Sequence, residues 1–158
     1  MSILAPLIIR VCLVILFPFS ALDKILNWSG ALKQANSGIL PGGPVLLVLA
    51  MSCEIITPVL IVGGWYDRAA AFVLAGYCVV TALLYHDFWA YGDFWSAGES
   101  KGRSHFWDFL KNFGLVGGLL AVVLGAPLAS VAYVVGHPLA STGVYQDAAP
   151  TPVDTNKD

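Results

Sequence analysis

Four continuous apolar runs, each long enough to cross a lipid bilayer, constrain this chain more than any other feature. They lie at about 4–22 ("LAPLIIRVCLVILFPFSAL"), 44–65 ("PVLLVLAMSCEIITPVLIVGGW"), 69–85 ("AAAFVLAGYCVVTALLY") and 113–135 ("FGLVGGLLAVVLGAPLASVAYVV"). A helix rises 1.5 Å per residue, so about 20 mostly apolar residues span a hydrocarbon core of about 30 Å. Composition points the same way. Of the 158 residues, 58% are hydrophobic and only 11% charged, whereas soluble domains carry about 25% charged residues. A water-soluble fold of this length lacks the polar exterior to cover so much apolar surface. The runs are unbroken and do not alternate with period two, which excludes the strands of an outer-membrane barrel. The expected fold is all-α: an integral membrane four-helix bundle over 1–140. A polar, proline-bearing tail at 141–158 reads as disordered. The first run reads as a retained helix, because Phe19 stands three places before Ala21, where a signal cleavage site needs a small residue.

Several function classes fall away at once. A net charge of −2 provides no basic face for phosphates, so nucleic acid is not a partner. Cys12, Cys53 and Cys78 all lie in apolar runs without a C-x-x-C, so they read as small hydrophobes, with neither a dithiol motif nor a metal site. No two histidines occupy facing runs, which excludes a bis-histidine haem. P-loop, dinucleotide and nucleophile-elbow signatures are missing. No cofactor is evident. Gly114 and Gly118 form a small-x-x-x-small pair suited to close helix packing within the bundle. Pro58 and Pro127 are expected to kink their helices.

An even number of crossings puts both termini on one membrane face. Lys24, Lys33, Lys101, Arg103 and Lys111 fall on the opposite face, against Arg68 and the distant Lys157 on the terminal face. The excess of lysine and arginine orients the first set toward the cytoplasm. Two ionisable residues lie deeper. Arg10 is about 9 Å and Glu54 about 15 Å from the terminal face, a gap of about 6 Å. Unpaired charges in a span cost several kcal/mol, so Arg10 and Glu54 are expected to pair between the first two helices. The pair is either a register lock or a proton-accessible carboxylate.

Chain direction gathers further polar groups at the other boundary. Asp23 and Lys24 end the first run, His86 and Asp87 follow the third, and Lys111 and Asn112 precede the fourth. With Trp89, these residues make a candidate polar pocket under an aromatic lid of Phe88, Trp89, Phe94 and Trp95. Histidine changes charge near neutral pH, so His86 beside Asp87 suits a proton relay or a hydrogen bond to a quinone carbonyl. Trp28, Trp65, Trp95 and Trp107 read as an interfacial belt. His105 and His137 read as surface residues.

Arg10, "FSALDK", Glu54 in "SCEIITPVLIVGGWYDRAAA", "HDFW" after the third run and "KNFGLVGG" opening the fourth together resemble the DoxX-like family of small four-helix membrane proteins. The resemblance covers about residues 4–124. It implies a small inner-membrane protein of a redox system. The family is named for a subunit of a thiosulfate:quinone oxidoreductase, and other members are linked to oxidative-stress and thiol-handling membrane complexes. Related four-helix families pass electrons through a C-x-x-C, which this chain lacks. The expected function is therefore a redox-associated membrane subunit, not an enzyme by itself. It would bind quinone near His86, Asp87 and Lys111, with an oxidoreductase partner subunit or a homo-oligomer and the lipid bilayer as partners. The alternative is a small-molecule transporter, or a structural and assembly protein with no redox role.

Overall fold

The computed structural model describes residues 4–37, 40–125 and 135–139. Among them the chain is helical and contains no strand: α1 Leu4–Val14, α2 Leu16–Leu26, α3 Trp28–Ser37, α4 Gly43–Gly63, α5 Asp67–Tyr85, a 3-10 turn at Phe88–Ala90, and α6 Lys101–Leu124. Helices long and apolar enough to cross a membrane cover Pro6–Leu26, Gly43–Gly63, Asp67–Ala90 and Lys101–Leu124. The all-α four-span architecture is thus the one the apolar runs require.

The first crossing is α1 and α2 in series. Pro18 has no N–H to offer the carbonyl of Val14 four residues earlier, so the hydrogen-bond ladder lapses there. Ile15 keeps helical angles (φ −57°, ψ −30°) and the two pieces form one span. Asn27 (φ −108°, ψ 42°) then stops α2, and its side-chain amide donates to Asp23 Oδ1 at 2.6 Å. The segment after the first crossing, expected to be a loop, contains the polar helix α3, which returns against α2 and α4. The end of α3 closes on the start of α4, where a Cβ on Gly43 would collide with the Asn36 side chain.

The last crossing departs most from expectation. It begins at Lys101, about three turns before residue 113, and ends at Leu124, where Gly125 turns to φ 78°. Ser100 caps it by accepting a hydrogen bond from the Arg103 N–H at 3.1 Å. Hydropathy concealed this start because Lys101, Arg103, His105, Asp108 and Lys111 crowd the first three turns. Residues 126–134, including Pro127, and the tail at 141–158 lie outside the described residues. Pro58 sits inside α4 without ending it.

Burial is inverted relative to a soluble protein. Ile9, Phe19, Val45 and Phe72 are each more than 60% exposed, whereas Arg10, Glu54, Asp67 and Arg68 are each under 10% exposed. Such a surface is stable only against acyl chains, where apolar side chains cost nothing and charges must be covered. Inside, Ala70, Ala71, Leu74, Ala75 and Cys78 of α5 meet Val14, Phe17, Ile61 and Leu119. The small residues on this face let α6 lie close along α5, with which it makes its most extensive contact. Gly118 does the same for α1, since a Cβ there would stand 2.7 Å from Leu13 Cδ1. Gly114 has no close neighbour, so only one member of the expected pair serves helix packing.

A buried ion pair fastens the terminal end of the bundle. Arg10 Nη2 donates to Asp67 Oδ2 at 2.7 Å and Nη1 to the carbonyl of Ile61 at 2.6 Å. The same Asp67 accepts the Arg68 N–H at 3.0 Å, and Arg68 Nη1 donates to the His137 carbonyl at 2.8 Å. Arg10 therefore spans the end of α4 and the start of α5, across a tight turn in which Tyr66 takes φ 51°. Arg10→Met strands a buried carboxylate and is expected to cost about 3 kcal/mol. Arg10→Lys, which cannot hold both acceptors with one planar fork, should fall between the two. Thermal unfolding of the detergent-solubilised proteins measures the order, and an unchanged midpoint in Arg10→Met contradicts the assignment.

Candidate functional site

The expected Arg10–Glu54 pair does not form. Each residue has a different partner, and helix geometry supplies the reason. Side chains on a helix lean toward its N-terminus. Arg10 therefore leans toward the terminal face, where Asp67 opens α5. Lys24, near the far end of the same crossing, leans back into the bilayer and reaches Glu54. Its ammonium donates to Glu54 Oε1 at 2.8 Å, to Oε2 at 2.9 Å and to Ser20 Oγ at 2.6 Å. Equal depth was a sound criterion for pairing, but backbone depth alone misses the several ångströms that a long side chain travels along the axis.

Glu54 is densely coordinated. Besides Lys24, it accepts the Tyr77 hydroxyl at 2.7 Å and the Ser20 hydroxyl at 3.1 Å, both at Oε1. Its side chain is 4% exposed, against 23% for that of Lys24. Three crossings thus converge on one carboxylate: α2 through Ser20 and Lys24, α4 through Glu54, and α5 through Tyr77. An ionised carboxylate accepts up to about four hydrogen bonds, so this network keeps the charge satisfied in a non-aqueous interior. Pro58, four residues after Glu54, also leaves the backbone carbonyl of Glu54 without its helical donor.

The network forms part of the wall of a cavity of about 770 Å³. Leu16, Leu46, Leu47, Ala50, Val80 and Leu115 give it a predominantly apolar lining, and Asp23, Lys24, Asn27, Glu54, Tyr77, His86 and Asn112 place polar groups in it. Its shape follows from which helices touch. Among the described residues, α2 packs on α1, α3 and α4, while α6 packs on α5, α1 and the 3-10 turn, and the backbones of α2 and α6 stay apart. The cavity is the wedge between these two layers, with α3 across it through Gly30, Ala31, Gln34 and Ala35.

Of the residues expected to line a polar pocket, Asp23, Lys24, His86 and Asn112 do so, whereas Asp87, Trp89 and Lys111 are not on its wall. Lys111 is held outward by Asp108 at 2.9 Å on an exposed stretch of α6. Asp87 points away to His105, 3.9 Å from Nδ1. The aromatic lid is instead a clasp. Phe88 meets Phe94, Phe106 and Phe109 edge to face, with centroids 5.2–5.3 Å apart, and so fastens the 86–100 segment to the start of α6. Phe88, Trp89, Phe94 and Trp95 do not face the cavity. Trp28, Trp65, Trp95 and Trp107 are all exposed, as an interfacial belt requires. Sequence reasoning missed Ser20, Tyr77 and Asp67. The hydroxyls gave no signal within apolar runs, and Asp67 was overlooked beside Arg68 at the mouth of a span.

These features define a multi-pass helical membrane bundle whose buried charges are paired in two layers around an amphiphilic cavity. The chain belongs to the DoxX family, whose family model matches residues 5–87. It is similar to the inner membrane protein YphA of Escherichia coli (strain K12), at 25% identity over 121 residues, covering 77% of this chain and 82% of that protein. No solved structure matches the chain.

The convergence on Glu54 has an energetic consequence. Lys24→Met and Glu54→Gln each leave a buried polar partner uncompensated, and the double variant removes both. Thermal unfolding of the four proteins should give a coupling energy of about 2 kcal/mol, with the double variant more stable than the sum of the single losses implies. Strict additivity would show that the two groups do not meet.

Proposed function

We propose that the cavity binds a lipid-soluble molecule with a neutral polar head, of which a quinone is the best-fitting class, and that the protein serves a redox system as its small membrane subunit. The observation that carries this reading is the cavity itself. Its volume of about 770 Å³ lies in the usual range for small-molecule sites, roughly 300–1,000 Å³, and would hold a quinone ring with the first units of its tail. The apolar wall suits the tail. Hydrogen-bonding groups of His86 and Asn112 suit ring carbonyls. A wedge between α2 and α6 suits a ligand arriving from within the lipid.

Charge narrows the class further. The cavity wall carries two carboxylates, Asp23 and Glu54, against the ammonium of Lys24. Its formal balance is negative unless His86 is protonated, which disfavours fatty-acid carboxylates and inorganic oxyanions relative to neutral heads. The lysine- and arginine-rich end of the bundle, which holds the cavity's polar groups Asp23, Lys24, His86 and Asn112, faces the cytoplasm in this reading. In this reading oxidation and reduction would be the work of a partner oxidoreductase.

Titration of the detergent-purified chain with decylubiquinone should quench its fluorescence saturably, with a dissociation constant of about 1–10 µM, equivalent to about 7–8 kcal/mol of binding free energy. Ala50→Trp, which fills the wedge with an uncharged indole, should abolish saturation without lowering the unfolding midpoint. Unsaturable quenching that is identical in the wild type and Ala50→Trp would mean partition into the micelle and would end the quinone reading.

A further inference from the structure

His86, Asp87 and His105 form a row that the Lys24–Glu54 network does not use. His86 follows the last residue of α5 and lines the cavity. Its ring lies 5.9 Å, centroid to centroid, from that of His105 on α6. Behind His105, Tyr91 stacks at 5.0 Å, and the Asp87 carboxylate stands 3.9 Å from Nδ1. That Nδ1 atom is enclosed by protein and has no hydrogen-bond partner among the described residues. Exposure rises from His105 to Asp87, whose side chains are 29% and 45% exposed. The row therefore leads from water, through a carboxylate and an imidazole, to an imidazole on the cavity wall.

We propose that Asp87, His105 and His86 carry a proton from the aqueous boundary to the His86 imidazole, which then hydrogen-bonds the polar head of a ligand in the cavity. This rests on the reading that the cavity holds a carbonyl-bearing, lipid-soluble molecule. Imidazole is suited to the task because one ring nitrogen can take a proton while the other releases one. The step balances without electrons. Asp87 passes a proton from water to His105, His105 passes one to His86, and the resulting imidazolium of His86 keeps that proton and hydrogen-bonds the ligand oxygen through its N–H. The gap of 3.9 Å is closed by a small side-chain rotation or a single bridging water.

The surrounding charges are compatible with this path. On the α6 side, His86 faces His105, Asp108 and Lys111, with Asp87 beside it in the chain. Across the cavity stand Asp23 and Lys24 of α2, Glu54 of α4, and Tyr77 and Tyr85 of α5. His105 faces Asp87 and Tyr91, and Asp93 packs against the first turn of α6 at Gly102. A protonated His86 gives a charge-assisted hydrogen bond, which is about twice as strong as a neutral one. Binding of a carbonyl ligand should therefore draw a proton in, and affinity should rise as the pH falls.

Stopped-flow mixing of the full-length protein with decylubiquinone, in weak buffer with a pH-indicator dye, tests the path. Wild type should take up a proton as fast as it binds. His86→Gln should bind more weakly and take up none. His105→Ala should slow uptake at least tenfold, and added imidazole should restore the rate. Uptake at the wild-type rate in His105→Ala, or uptake that persists in His86→Gln, overturns the proposal. Failure of decylubiquinone to bind at all overturns the ligand reading instead. The path then stands or falls on the ligand-free protein, in which the ¹⁵N imidazole signals of His86 and His105 should titrate as a coupled pair, each moving when the other is replaced. Independent titration would overturn it.

Discussion

A charge inside a lipid bilayer must meet a partner, and the direction in which a helix throws its side chains decides which partner it meets. Arg10 and Lys24 lie on the same crossing and are separated by less than the bilayer thickness. Both lean toward the helix N-terminus. For Arg10 that direction is the membrane boundary, where the chain turns from α4 into α5 and presents Asp67. For Lys24 it is the interior, where Glu54 waits in the middle of α4. One geometric rule thus yields two layers of paired charge.

The two layers divide the labour of the bundle. At the terminal end, Arg10 clamps the Ile61 carbonyl and Asp67, so α1, α4 and α5 converge there around small side chains and Leu74. At the other end Lys24, Ser20 and Tyr77 hold Glu54 from three sides, and the space beyond is lined by α2, α3, α4, α5 and α6. A fastened core beside this network is how a small bundle can hold a cavity of about 770 Å³ without losing its register. The aromatic clasp around Phe88 contributes by fixing the 86–100 segment on α6, which holds His86 at the cavity edge and His105 behind it.

Membership in the DoxX family sets the architecture and the membrane context. The chemistry depends on what the cavity accepts. Its mix of an apolar wall, an acidic balance and hydrogen-bonding groups at the lysine-rich end favours a neutral amphiphile over an ion. That preference is physical, arising from desolvation and charge, and it holds whether the ligand is carried, sensed or handed to a partner.

By itself the sequence determined what depends on composition along the chain. It set the solvent, the number of crossings, the all-α class and the need for Arg10 and Glu54 to be neutralised, because transfer into lipid is a sum over residues in a window. It also marked Asp23, Lys24, His86 and Asn112 as groups that chain direction brings to one end. Only the tertiary structure decided which charge meets which, because pairing depends on side-chain reach and lean, and not on backbone depth alone. It placed Tyr77 and Ser20 on Glu54, sent Lys111 and Asp87 away from the cavity, and turned an expected lid into a clasp. It also moved the start of α6 to Lys101, since a cap at Ser100 and aromatic packing outweigh a run of charged residues that a hydropathy window reads as water.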